Sequence, residues 1–95
     1  MKTPRRRARE LAVQALYQAA VNSIPAAEAA KNIREMAEFG KADEGLFNKL
    51  VIGTADNAAA YMQQIRPLLD RDEKDLSPIE RAVLLMACHE LSAMP

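Results

Sequence analysis

The stretch Thr3-Pro4-Arg5-Arg6-Arg7-Ala8-Arg9-Glu10-Leu11-Ala12-Val13-Gln14-Ala15-Leu16-Tyr17 decides the fold class. Threonine is a favoured N-cap, and proline suits the first helical position because its missing N–H would be unpaired there anyway. From there Ala8, Leu11, Ala12, Ala15 and Leu16 recur at helical spacing, with Ala19 one turn further on. They lay one apolar stripe along a helix that is expected to run to about Asn22. Nowhere does the chain alternate apolar and polar residues with the strand period. Alanine, leucine, glutamate and arginine are abundant, so an all-α fold without strands is expected.

The same reading extends along the chain. Helix two follows Ser23-Ile24-Pro25 and is expected to reach about Phe39, with Ile33, Met36 and Ala37 on its buried side and Gly40 as its stop. Helix three begins after Asp43 and ends before Pro67, with a stripe of Phe47, Leu50, Val51, Thr54, Ala58, Tyr61, Met62 and Ile65. Three helices with short joints make an antiparallel bundle over residues 1–66. A short fourth helix is expected from Pro67 to about Arg71, carrying Leu68 and Leu69. The charged run Asp70-Arg71-Asp72-Glu73-Lys74-Asp75 reads as a solvated loop. In Ser77-Pro78-Ile79-Glu80, a capping serine precedes a proline, and a glutamate follows three residues after the cap, which opens helix five at Pro78. That helix is expected to end near Ser92, and residues 67–95 read as the start of a second helical subdomain. Ala82 to Cys88 are seven consecutive apolar residues, which surround the helix on all sides for nearly two turns. Such a helix needs neighbours all round. The expectation is therefore a truncated chain whose following helices are absent, and which self-associates through the bare side of helix five.

Composition narrows the function. The chain has 95 residues, 49% hydrophobic and 27% charged, which is ordinary for one small globular domain. No apolar run approaches the ~20 residues of a membrane span, and the basic first residues lack a signal-peptide core. A cytoplasmic protein is expected. One cysteine, Cys88, excludes an internal disulfide, and with His89 as the single histidine no metal centre is built from these residues. The two are neighbours on a helix, about 100° apart, and a structural role is expected for both. No nucleophile–base set or phosphate-binding glycine loop is present, so no enzyme and no cofactor are expected.

The net charge of zero hides an asymmetry. Lys2, Arg5, Arg6, Arg7 and Arg9 are five of the thirteen basic residues, leaving eight against thirteen acidic ones over the rest. A basic end on an acidic body points to a polyanion site. On a helical wheel Arg5, Arg6 and Arg9 share an arc of about 100°, while Arg7 lies on the opposite flank. Val13, Tyr17 and Ala20 continue that arc as a second stripe, apart from the core one. Nucleic acid at the basic end and a protein at the Tyr17 end is one reading; a merely solvated basic terminus is the other.

At these residues a family resemblance enters. Arg5 to Tyr17 resembles the opening helix of the NusB family of transcription antitermination factors, and Ile79-Glu80-Arg81-Ala82-Val83-Leu84, followed by Glu90-Leu91, resembles that family's fifth helix. The resemblance implies two packed helical bundles and about forty further residues. It implies binding of the boxA element of single-stranded RNA together with the ribosomal protein NusE, in an RNA polymerase antitermination complex that reads through terminators on ribosomal RNA operons. By position it implies RNA contacts at Lys2, Arg5, Arg6, Arg9 and Arg81, and a NusE-facing surface at Tyr17 and Glu80. Two residues depart from the family pattern: Leu85 stands where arginine is common and His89 where tyrosine is. A second reading is the NusB-like RNA-binding domain at the start of an RNA cytosine methyltransferase. A third is a generic helical interaction module whose basic start only solubilises it.

Overall fold

The computed structural model describes residues 2–94, and among them every regular element is helical. The five α-helices are α1 (Pro4–Asn22), α2 (Ala26–Arg34), α3 (Glu44–Asp56), α4 (Ala58–Ile65) and α5 (Pro78–Ala93). Short 3-10 turns occupy Ala37–Phe39, Arg66–Leu68 and Glu73–Asp75.

α1 is the central element. Thr3 caps it, its hydroxyl oxygen accepting the Arg6 N–H at 3.1 Å. Ser23 ends it in the left-handed conformation, with φ 54°, and its N–H returns to the Ala19 carbonyl. Ala8, Leu11, Ala12 and Ala15 are buried, as the stripe requires. α2, α3 and α5 all pack against this helix. The core they enclose includes Ile33 of α2 and Phe47, Leu50 and Val51 of α3, all fully buried, each contributing about 1.5–3 kcal/mol by leaving water. Met86 of α5 reaches the same cluster. Phe39 meets Phe47 edge to face, centroids 5.2 Å apart at 84°, the arrangement favoured by the ring quadrupoles. A second cluster joins Tyr61 and Met62 of α4 to Leu85 of α5, with Leu69 and Leu76 packed against it.

Three sequence expectations are corrected. Helix two stops at Arg34, and Ala37 is exposed, because a tighter 3-10 turn swings Phe39 into the core instead. Helix three is broken at Asn57, whose side-chain amide donates to the Gly53 carbonyl at 2.8 Å. The backbone leaves helical geometry there, at φ −112° and ψ 10°, and the side chain shares the Gly53 carbonyl with the Asn57 N–H, which lies 3.3 Å from it. The short helix expected from Pro67 is only the Arg66–Leu68 turn, and Leu68 is 83% exposed.

α5 begins with the expected capping box: Ser77 accepts the Glu80 N–H, and Glu80 accepts the Ser77 N–H. It runs antiparallel to α1. Arg9 meets Glu90 at one end, while Leu16 and Ala20 share a small cavity with Pro78, Arg81, Ala82 and Leu85 at the other. Its inner side buries Ala82, Leu85, Met86 and His89, whereas Ile79, Val83, Ala87 and Leu91, spaced four apart, form a bare outer stripe. No helix among the described residues is long and apolar enough to cross a membrane.

His89 has a packing role. Its Nδ1 lies 2.7 Å from the buried Tyr61 hydroxyl, so the ring ties α5 to α4. The ring also fills the space above Gly53 of α3, where a Cβ would come within 2.3 Å of Nε2. Alanine improves helix propensity by about 0.5–1 kcal/mol, but here the added methyl must displace a buried, hydrogen-bonded ring. Gly53→Ala is therefore expected to destabilise the protein by about 1–3 kcal/mol in thermal or urea unfolding; a raised midpoint would contradict this packing.

Candidate nucleic-acid interface

The first turn of α1 displays the basic cluster. The Thr3 cap and Pro4 fix where the helix starts, so Arg5 and Arg6 project from a defined turn with Lys2 just before it. All three are exposed. No acidic residue lies in that turn. Cations beside the positive end of the helix dipole repel it, and an incoming anion relieves the repulsion.

Each of these side chains nevertheless has a carboxylate nearby. Lys2 donates to Glu10, and Arg6 Nε lies 3.6 Å from the same side chain. Arg5 is 4.0 Å from Asp43, the residue that caps α3 through the Leu46 N–H and whose own N–H donates to the Pro4 carbonyl. The starts of α1 and α3 are thereby held together. Arg9 is more committed: its Nε donates to Glu90 at 3.1 Å, latching α1 to the last turns of α5. Arg7 points away from the cluster. Its guanidinium lies beside Gly40, where a Cβ would come within 3.2 Å of Nη1. Gly40 has φ +48°, which a residue with a side chain rarely adopts.

Arg81 does not join this cluster. It stands nine residues before Glu90 on α5, about 14 Å along the axis from the Arg9 latch. Leu85 is 7% exposed and belongs to the Tyr61–Met62 cluster. Tyr17 is 40% exposed on the outer side of α1. Glu80 is tied down twice, by the Ser77 N–H at 2.9 Å and by Arg71 at 2.5 Å.

A second basic group surrounds Arg81. Arg66, Arg71, Lys74 and Arg81 line a groove of about 890 Å³ with Asp70, Asp72 and Glu73. Sequence reading missed Arg66, Arg71 and Lys74 because their segment carries both signs and resembles any solvated loop. The available signal was the pair of leucines, Leu69 and Leu76, that flank the charged run and anchor it to the core.

Three carboxyls are held below the ordinary value of 4.5. For Glu10 the main cause is the hydrogen bond from Lys2; for Glu73, those from Arg81 and then Arg66; for Glu80, the Ser77 backbone N–H and then Arg71.

The described residues form a strandless helical bundle that presents charged and apolar faces outward. The NusB family model matches residues 6–95. Over its whole length the chain is 75% identical to the transcription antitermination protein NusB of Neisseria meningitidis serogroup B, covering 67% of that protein. It is 48% identical over 92 residues to the protein of the same name from Laribacter hongkongensis, covering 97% of this chain and 56% of that one. To the Chromobacterium violaceum protein of that name it is 45% identical, across all of this chain and 64% of the relative. The chain belongs to the NusB family. The relatives are named as transcription antitermination proteins, which are not enzymes.

The carboxyls make acid stability a test of these ion pairs. Each folded-state pKa lies below its unfolded value, so the stabilisation is present above pH 4.5 and is lost as pH falls through the folded value. Thermal midpoints measured from pH 7 to pH 3 are expected to stay level to about pH 5 and then drop. Glu80→Gln, which weakens the cap of α5, is expected to lower the neutral-pH midpoint and flatten the acid limb; an unaltered limb would mean that other carboxyls govern it.

Proposed function

We propose that this chain binds RNA as part of the bacterial transcription antitermination machinery. Lys2, Arg5 and Arg6 take the phosphates of a boxA-type single-stranded RNA. Arg9 joins them by exchanging or sharing Glu90, and Arg81 makes a separate contact further along the seam between α1 and α5. Tyr17 and Glu80 lie on the surface that faces NusE. The assembly holds RNA polymerase in a form that reads through terminators on ribosomal RNA operons, and it does so in the cytoplasm. No bond is made or broken; the function is to order an RNA element and a small protein beside the polymerase.

The observation that carries this reading is the exposed Lys2–Arg5–Arg6 group at a capped helix start free of first-turn acids. Guanidinium groups suit phosphate because their planar N–H pairs match two of its oxygens. The names of the relatives favour this reading over the methyltransferase domain.

Fluorescence anisotropy of a labelled boxA-type RNA, titrated with the chain and NusE beside a scrambled RNA, tests it. Preference for the boxA-type RNA is expected. The logarithm of the binding constant is expected to fall with the logarithm of salt at about −0.7 per phosphate neutralised, near −3 for four contacts. Arg5→Ala with Arg6→Ala should make that slope shallower by about 1.4; an unaltered slope would place the RNA elsewhere.

The outer stripe of α5 supports a second, independent expectation. Ile79 and Val83 are about half exposed and Leu91 is 83% exposed, and water penalises such a row. The chain is expected to associate with itself as its concentration rises in sedimentation velocity, and Val83→Glu with Leu91→Glu should return it to a monomer. Concentration-independent sedimentation of the unsubstituted chain would refute this.

A further inference from the structure

The groove around Arg81 contains an arrangement that the ordering of the loop alone does not require. Glu73 takes Arg66 through one carboxylate oxygen and Arg81 through the other, each at 2.5 Å. The three residues come from three elements: Arg66 from the turn after α4, Glu73 from the turn at 73–75, and Arg81 from α5. Two guanidinium groups thus converge on one oxyanion. The same pair of forks fits a phosphate, which offers oxygens at similar spacing and more charge. Arg71 and Lys74 stand on the same groove wall, Arg71 turned to Glu80 and Lys74 to Asp72 at 3.9 Å. Both guanidinium groups of the pair remain partly open to water, with side-chain exposures of 52% for Arg66 and 39% for Arg81. Ion pairs so exposed are weak and readily exchanged.

We propose that this groove is a second RNA-phosphate site, with Arg66 as an additional contact residue, and that Glu73 occupies it in the free chain as a built-in competitor which the phosphate displaces. The inference rests on the RNA-binding reading above and deepens it at Arg81. The antiparallel packing gives the site a definite place. The groove lies beside Leu16 and Ala20, at the far end of α1 from Arg6, about 21 Å along the helix. At about 3.4 Å per stacked nucleotide, one strand of six or so nucleotides spans both sites. Until it arrives, Glu73 screens Arg66 and Arg81, so that the three residues together contribute one net positive charge rather than two. Unpaired, both would draw any polyanion. The competitor therefore restrains nonspecific binding at the groove and leaves it to strands already held at the arm.

Glu73→Gln tests the proposal, since it keeps the shape and removes the competing charge. In the anisotropy assay with the whole chain and a twelve-nucleotide boxA-type RNA, E73Q is expected to bind at least threefold tighter. Its salt slope should be steeper, by at most about 0.7, because no carboxylate remains to offset the guanidinium charge that takes the phosphate. Preference over the scrambled RNA should narrow. Adding Arg66→Ala to E73Q should abolish the gain, and Arg66→Ala alone should weaken binding, because one of the two guanidinium groups that take the phosphate is then gone. Glu73→Asp, whose shorter carboxylate does not reach both guanidinium groups, should shift binding in the same direction as E73Q and provides a second measure should E73Q unfold. Unchanged or weaker binding by a folded E73Q, with the Arg5 and Arg6 variants still flattening the slope, would overturn the groove proposal and leave the RNA-binding reading standing. If the Arg5 and Arg6 variants and E73Q all leave binding unchanged, both fall.

Discussion

The close approach of helices to the alanine face of α1 is the constraint on which the rest of the structure depends. Ala8, Ala12 and Ala15 are completely buried and carry no side chain beyond Cβ. Helix axes approach one another as closely as the side chains between them permit. The small face lets α2, α3 and α5 pack against one helix, and large residues from the partners, Ile33, Phe47 and Leu50, fill the remaining space. A bulkier stripe would push these partners outward. The carboxylates that reach the basic residues of α1 from α3 and α5, Asp43 and Glu90, are placed by the same packing.

With α1 enclosed on one face, its other face is the one proposed to take RNA. The wheel alone separates Arg5, Arg6 and Arg9 from the buried stripe. The surrounding elements then divide the arginines by task. Arg7 rests against Gly40, Arg9 latches to Glu90, and Arg5 and Arg6 stay open. Every ion pair in this region is at least partly exposed, so each contributes little to stability and holds its cation in place rather than removing it from use. A surface of this kind is preorganised and exchangeable at once.

Much of the fold was legible in residue types. Thr3 with Pro4 and Ser77 with Glu80 marked two helix starts that the structure reproduces, and the stripe from Ala8 to Ala15 is buried as read. The failures have local causes. The stripe through Thr54, Ala58 and Tyr61 passes Asn57 unbroken, so periodicity runs past it; the backbone there turns to φ −112° and ψ 10°, with the side chain bonded back to Gly53. Ala37 and Phe39 compete for one core position, and the aromatic ring takes it because Phe47 offers an edge-to-face partner from a helix distant in sequence. Of the candidate site, the arm was visible as a run of like charge. The groove was not, since Arg66, Glu73 and Arg81 are eight or fewer residues from one neighbour to the next and look like ordinary surface charges until folding aims them at one another.

The sequence by itself determined the helical class, the caps, the inner face of α1 and the concentration of positive charge at its start, because each follows from spacing or from contacts within one turn. Only the tertiary structure decided which basic residues stay exposed, that Leu85 is a core residue, and that His89 joins Tyr61 over the bare backbone of Gly53. Those outcomes depend on partners far along the chain. Arg9 and Glu90 are 81 residues apart, and nothing in the local spacing of either specifies that they meet.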